Sequence, residues 1–236
     1  MALSVLVTGA SQGIGAAVAR AFADRLGDGV RIALVSRTEA ALDGVAESCR
    51  ALGAGAEVFP CDVTDDGAVE ALGRDVTDRL GVPDVLVNNA GLFEPGGFLE
   101  TSPEAFRRQI DVNLTSAFLV TRAFLPAMLE RGSGRVLMMG SVASVRGYPG
   151  GTAYGAAKHG LLGLARSLRE ETKGTGIGVT TLLPGATLTP SWDGVDVPPE
   201  RLMPPEDVAR VAMEVATLSA RSVVEEVLVR PAEGDL

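Results

Sequence analysis

LSVLVTGASQGIG, Leu3 to Gly15, runs an apolar, β-rich segment straight into a glycine-rich turn. A strand predicted at Leu3–Thr8 is apolar on both faces, as a strand covered by helices on each side must be. Gly9, Gly13 and Gly15, with Ser11 and Ile14 between them, then open the first helix. Glycine at those points lets backbone turn tightly and lets a pyrophosphate approach the positive end of the helix. The spacing is GxxxGxG rather than the generic dinucleotide GxGxxG, and glycine in a strand-to-helix turn also serves positive φ alone.

Outward from this unit the pattern repeats. Further strands are predicted at Val30–Ser36, Ala56–Pro60, Val85–Asn88, Arg135–Gly140, Gly178–Leu183 and Val224–Val229. Helical spacing falls between them, at Ile14–Leu26, Glu39–Leu52, Asp66–Leu80, Phe106–Arg131 and Thr152–Thr172. Alternation of this kind predicts a doubly wound α/β (Rossmann) fold with a seven-stranded parallel sheet. The 236 residues suit one core, so a single domain over 1–236 is expected. The Pro/Gly-rich stretch from Pro184 to Pro205 is too short for a second domain and is read as a lid, about 186–204.

Composition narrows the partners. A hydrophobic share of 46% against 22% charged is ordinary for a globular chain, and a net charge of −9 repels nucleic acid and anionic membranes. Cys49 and Cys61 lack CxxC spacing and the lone His159 has no second imidazole, so neither a disulfide framework nor a metal site is expected. No run of 18 apolar residues and no leader-like start is found, which makes the cytoplasm the default location.

Asn88–Gly91, NNAG, ends the fourth strand at the carboxyl edge of the sheet, where open α/β folds bind ligands. It also suits a plain Asx-rich turn. The second strand ends in Ser36-Arg37, where an NAD enzyme would carry an acid for the ribose 2′-hydroxyl. A guanidinium there suits a 2′-phosphate, hence NADP(H), unless Arg37 is only a solvated residue before the next helix.

YGAAK places Tyr154 and Lys158 four apart on one face of a helix. A phenol titrates near pH ~10, and a neighbouring ammonium lowers that value, so Lys158 is expected to tune Tyr154 as an acid/base. Ser141, thirteen residues earlier, is placed to bind a substrate oxygen, and Asn113 in IDVNLTS to complete a polar relay. His159 is rotated about 100° from Lys158 on the helix and reads as structural.

The ordered set of TGxxxGIG, NNAG, the Asn of DVN, Ser before Tyr, YxxxK and Pro184-Gly185 resembles the short-chain dehydrogenase/reductase family over nearly the whole chain. The resemblance implies Tyr154 as catalytic acid/base and Lys158 as the group that lowers its pKa and binds the nicotinamide ribose. It further implies Ser141 orienting substrate and Asn113 holding a relay water. It assigns Ile14 to the pyrophosphate turn, Asp62 and Val63 to the adenine pocket, Asn89, Ala90 and Gly91 to the ribose region, and Thr187 and Thr189 to the carboxamide. A homodimer or homotetramer is implied, built on Phe106–Arg131 and Thr152–Thr172, where small Ala156, Ala157 and Ala165 permit close packing.

The end of the chain, VVEEVLVRPAEGDL, departs from the family's usual strand and DGG-like turn. Together with PGATLTPSW and MPPEDVA it is similar to a shorter branch that includes bacterial sepiapterin reductase-like enzymes. Trp192 then either stacks on a flat substrate such as a pterin or diketone, or anchors the lid. Phe93, Leu188, Tyr148 and Met203 are candidates for the apolar pocket wall or for core. Two other readings stand beside a small carbonyl/alcohol substrate: a 3-oxoacyl thioester reductase using Arg107, Arg108 and Arg122 to receive an acidic carrier, and a catalytically silent NADP(H) sensor.

Overall fold

The computed structural model describes residues 2–235. Seven strands form one parallel sheet: β1 Leu3–Thr8, β2 Val30–Ser36, β3 Gly55–Pro60, β4 Val85–Asn88, β5 Gly134–Met139, β6 Ile177–Pro184 and β7 Glu226–Val229. Their order across the sheet is β3-β2-β1-β4-β5-β6-β7. The expected strands are all present, each within two residues of its predicted bounds.

Alternation along each strand divides the core. Val5 and Val7 of β1 point to one side, with Ile32 and Leu34 of β2, and pack under α1 Gly13–Leu26, α2 Glu39–Ala51 and α7 Pro205–Ala216. Leu6, Ala33 and Val35 point the other way, under α3 Asp66–Leu80, α5 Ser116–Arg131 and α6 Thr152–Glu171. Phe22 of α1 and Phe124 of α5 are among the largest fully buried side chains, one on each side.

Chain order reverses between β1 and β4. The carboxyl ends of these neighbours therefore open a crevice, the place where such sheets bind ligands.

Two expectations change. The helix predicted at Phe106–Arg131 starts earlier and is not uniform. Ser102 caps α4 Pro103–Ile110 by accepting from the Ala105 amide at 3.1 Å, and a wider π turn over Asp111–Thr115 joins it to α5. By length and composition Pro103–Arg131 is the one stretch among the described residues able to cross a membrane. Here it packs on α3 and α6 and carries Asn113 into the cleft, as a core helix does. The second change concerns Ala157 and Ala165, expected to serve contacts between subunits. Both are buried within the chain's own core, at 0% and 2% exposure, and only Ala156 of the three faces out.

Between β6 and α7 the chain forms two short 3-10 turns, Pro190–Trp192 and Pro199–Arg201. A bridge between Thr187 and Met203 pins the base of this loop. Leu188 N donates to the Met203 carbonyl at 2.8 Å and Met203 N to that of Ala186 at 3.0 Å. Met203 is thereby drawn into the core and Leu188 stays outside the cleft, so neither lines the pocket.

Candidate active site

A cleft of about 1100 Å³ runs along the carboxyl edge of the sheet, from the ends of β2 and β3 past β1 and β4 to β5 and β6. At its nucleotide end Gly9 has φ +64°, and a Cβ there would lie 2.9 Å from the Ala90 Cα. The Thr8 hydroxyl accepts from the Asn89 and Ala90 amides, each at 3.0 Å. Asn89 Nδ2 donates back to the carbonyls of Thr8 at 3.0 Å and Gly9 at 3.2 Å. Its amide thus fastens the β1 and β4 turns together, while Asn89, Ala90 and Gly91 all border the cleft.

Gly15 is corrected by the structure. It does not line the cleft; a Cβ on it would lie 2.3 Å from the Gly9 carbonyl oxygen, so its place is to let α1 press against the turn. Gly13 and Ile14 do face the cleft, as does Ser11. The amino end of α1 carries no acidic residue in its first turn and its N-cap, Gln12, makes no side-chain cap. Its positive end is left available to an anion.

At the far rim Ser36, Arg37 and Thr38 after β2 face Asp62, Val63 and Thr64 after β3. Arg37 is exposed and makes no ion pair among the described residues. Asp62 accepts from the Thr64 amide at 3.0 Å and its hydroxyl at 2.7 Å, bonds that hold its carboxyl below the usual range. These features fit a dinucleotide: a concave edge, backbone amides for phosphates, and a guanidinium without an ion pair among the described residues at the end of β2.

The chemical end gathers the four expected residues. Ser141 follows β5, and Tyr154 and Lys158 lie one turn apart on α6. Asn113 projects from the π turn, where its Oδ1 accepts from Leu92 N at 3.1 Å and its Nδ2 donates to the Leu92 carbonyl at 2.7 Å. It therefore clamps the loop after NNAG. Phe93 in that loop meets the Tyr154 ring edge-on, centroids 5.1 Å apart.

Burial governs the ionisation here. It pushes the Tyr154 phenol above its ordinary value, while the nearby Ser141 hydroxyl acts in the opposite direction. The lowering expected from Lys158 does not dominate. Burial of the lysine itself draws its pKa down to about 8, and its Nζ donates to the Met139 carbonyl at 2.8 Å, 5.5 Å from the Tyr154 ring centroid. His159 bonds the Gly155 carbonyl of its own helix at 2.8 Å, apart from this group.

Pro184, Gly185, Thr187, Thr189 and Trp192 complete the wall, with Phe93 and Tyr148. Lining residues that were not anticipated include Thr64, Leu92, Val142, Arg146 and Asp235. Thr64 had a local signal, an Asp two residues before a hydroxyl; Arg146 and Asp235 lie 89 residues apart and had none.

Residues 4–197 match the model of the family described as short chain dehydrogenase. The chain belongs to this short-chain dehydrogenase family. It is an oxidoreductase of 33% identity to the sepiapterin reductase of Chlorobaculum tepidum, over 98% of this chain and 97% of that one. Among solved structures it is similar to the alcohol dehydrogenase of the archaeon Thermococcus sibiricus, complexed with 5-hydroxy-NADP, at TM-score 0.90 and 31% identity. That match covers 98% of this chain and 97% of the other. Actinorhodin polyketide ketoreductase with NADPH superposes equally, at TM-score 0.90 and 31% identity over 100% and 98% of the two chains.

Proposed function

We propose that this short-chain dehydrogenase reduces a small, flat carbonyl compound of the sepiapterin or diketone type at the expense of NADPH, reversibly. The observation that carries this reading is one cleft with an uncapped helix end and Arg37 at one extremity and Tyr154, Ser141 and Lys158 at the other.

NADPH, when bound, supplies the hydride. Gly13 and Ile14 would hold its phosphates at the α1 amides, Arg37 its 2′-phosphate, and Asp62 and Val63 its adenine. Lys158 would reach the nicotinamide-side ribose. As hydride arrives at the substrate carbon, negative charge grows on its oxygen. The Tyr154 phenol, kept protonated by burial, donates its proton to that oxygen, and the Ser141 hydroxyl donates a hydrogen bond that stabilises the charge. Asn113 holds the backbone at Leu92 and would carry the relay water by which Tyr154 regains its proton. Oxidation runs the same steps backwards.

The loop 186–204 serves as a lid, its base pinned by the Thr187–Met203 bridge and its Trp192 offering a flat wall to a flat substrate. Full-length similarity to a sepiapterin reductase supports that choice. For the thioester alternative, each candidate arginine is matched by an acid, Arg108 by Glu94 at 2.6 Å, Arg107 by Glu104 at 3.7 Å and Arg122 by Asp66 at 4.0 Å, so the three bring no net excess of positive charge to attract an acidic carrier. Self-association would use the outer faces of α4 and α5, where Phe106 and Phe118 are exposed.

The test is NADPH consumption with sepiapterin, diketones and 3-oxoacyl thioesters, with NADH in parallel. Turnover of sepiapterin or diketones is expected. Thioester turnover alone would favour the carrier-linked alternative, and NADPH binding without turnover of any of them the sensor.

A further inference from the structure

Between Ser141 and Tyr154 the chain passes through Tyr148, Pro149, Gly150 and Gly151 before α6 begins. Two backbone contacts fix this segment. Gly151 N donates to the Tyr148 carbonyl at 3.2 Å, and Gly96 N, from the loop that carries Phe93, donates to the Gly150 carbonyl at 2.9 Å. The Tyr148 ring is laid against Gly151: a Cβ there would lie 2.5 Å from Cζ and 2.7 and 2.8 Å from Cε2 and Cε1. Glycine leaves room for the ring, and the atoms in contact are those at its hydroxyl end.

Gly151 is the N-cap of α6, and Tyr154 stands three residues further on, about one turn away on the same side of the helix. Helical side chains lean back toward the amino end, so the Tyr154 ring leans toward the place that Tyr148 occupies. Both tyrosines line the cleft. Their nearness is felt electrostatically: burial, aided by Tyr154, pushes the Tyr148 pKa up to about 12, so at neutral pH this phenol is an uncharged O–H donor.

The two phenols are not equivalent. Tyr154 has Ser141 beside it and the Lys158 ammonium 5.5 Å from its ring centroid. Tyr148 is 38% exposed, and its hydroxyl makes no hydrogen bond among the described residues. Such a group suits a hydrogen bond held throughout the reaction rather than a proton transfer. With Ser141 and Tyr154 engaged by the reacting oxygen, a second O–H about 5 Å away, one helical turn, is left for another acceptor on the same small substrate. A ketone with one oxygen covers this donor without pairing it, whereas a compound with a neighbouring oxygen pairs it. That asymmetry is what makes hydrogen-bonding sites selective.

We propose that Tyr148 is a specificity-determining residue whose hydroxyl donates to an oxygen on the carbon next to the reacting carbonyl, so that the cleft selects vicinal dicarbonyl compounds over ketones with a single oxygen. The proposal rests on the carbonyl-reductase reading and deepens it, narrowing the diketones to vicinal ones. A residue that reads as apolar wall in the sequence contributes its polar end.

The experiment compares vicinal phenylpropanedione with propiophenone, which lacks only the second oxygen, in the wild type and Tyr148→Phe. Y148F keeps the ring against Gly151 and removes the hydroxyl alone. Two readouts are taken: kcat/KM with NADPH, and isothermal titration calorimetry of each compound into enzyme loaded with NADP, which has no hydride to give. The dione-to-ketone ratio of kcat/KM is expected to fall about tenfold in Y148F, and the ratio of affinities by a similar factor.

An unchanged ratio, or an equal loss with both compounds, overturns the proposal, because the hydroxyl then serves only as wall. Failure of the wild type to reduce either compound overturns the reductase reading instead. The titration then still decides on Tyr148: a fall in dione affinity relative to ketone affinity in Y148F upholds its role, and an unchanged ratio of affinities or no dione binding by the wild type rejects it.

Discussion

Replacing Lys158 by methionine removes an ammonium that the fold keeps charged against its solvation preference. The residue is 3% exposed, and burial lowers its pKa from 10.5 to about 8. At about 1.4 kcal/mol per unit, that shift destabilises the folded state by on the order of 3 kcal/mol wherever the lysine is charged in both states. The penalty is complete below pH 8. As pH rises from 8 to 10.5 the folded protein releases the proton first, and the penalty fades once both states are neutral. Against this, methionine leaves the Met139 carbonyl without its donor, at a cost of about 1 kcal/mol. K158M is therefore expected to be about 2 kcal/mol more stable than the parent at neutral pH and about 1 kcal/mol less stable near pH 10.5, with turnover lost. Urea unfolding at the two pH values measures the difference. A variant less stable at neutral pH, or a difference that does not change with pH, would refute the claim that this lysine is a strained functional group.

Tyr154→Phe should cut turnover by about 10²–10⁴-fold while cofactor titration shows retained affinity; an active Y154F would remove the phenol from the proton path. Arg37→Asp should weaken NADPH binding about tenfold or more and leave NADH binding largely alone, as equilibrium fluorescence titration with each cofactor would show. Gly15→Ala forces a methyl to within 2.3 Å of the Gly9 carbonyl. Thermal unfolding should register a loss of about 1–3 kcal/mol and cofactor titration a matching loss of affinity.

Much of this was legible from periodicity. Short both-face apolar runs such as Val5-Leu6-Val7, recurring between segments of helical spacing, read as strands covered by two helical layers, and the four polar residues at the chemical end announced themselves by type and order. What escaped has physical reasons. The π turn over Asp111–Thr115 lies inside one long helical pattern, where the phase shift of a single extra residue is lost in the ordinary scatter of hydrophobic spacing, although that turn is what aims Asn113 at Leu92. Ala157 and Ala165 looked like surface small residues because a sequence does not say which face of α6 meets the sheet. Gly15 was grouped with its neighbours since contact with the Gly9 carbonyl depends on the helix approach angle. The effect of Lys158 on Tyr154 was read from charge alone, whereas the shift depends on how deeply both groups sit.

The extra residue accommodated by the π turn works as an indexing step. It turns everything C-terminal to it by about 100° relative to an uninterrupted helix, so α5 presents a different set of side chains to solvent than the phase of α4 would dictate. Removing one residue from Asp111–Thr115 would restore a plain α-helix and swing both the Leu92 clamp and the outward face of α5 at once. The interior geometry of the site and the outward face of α5 are thus wired to a single turn of backbone, and neither can drift alone.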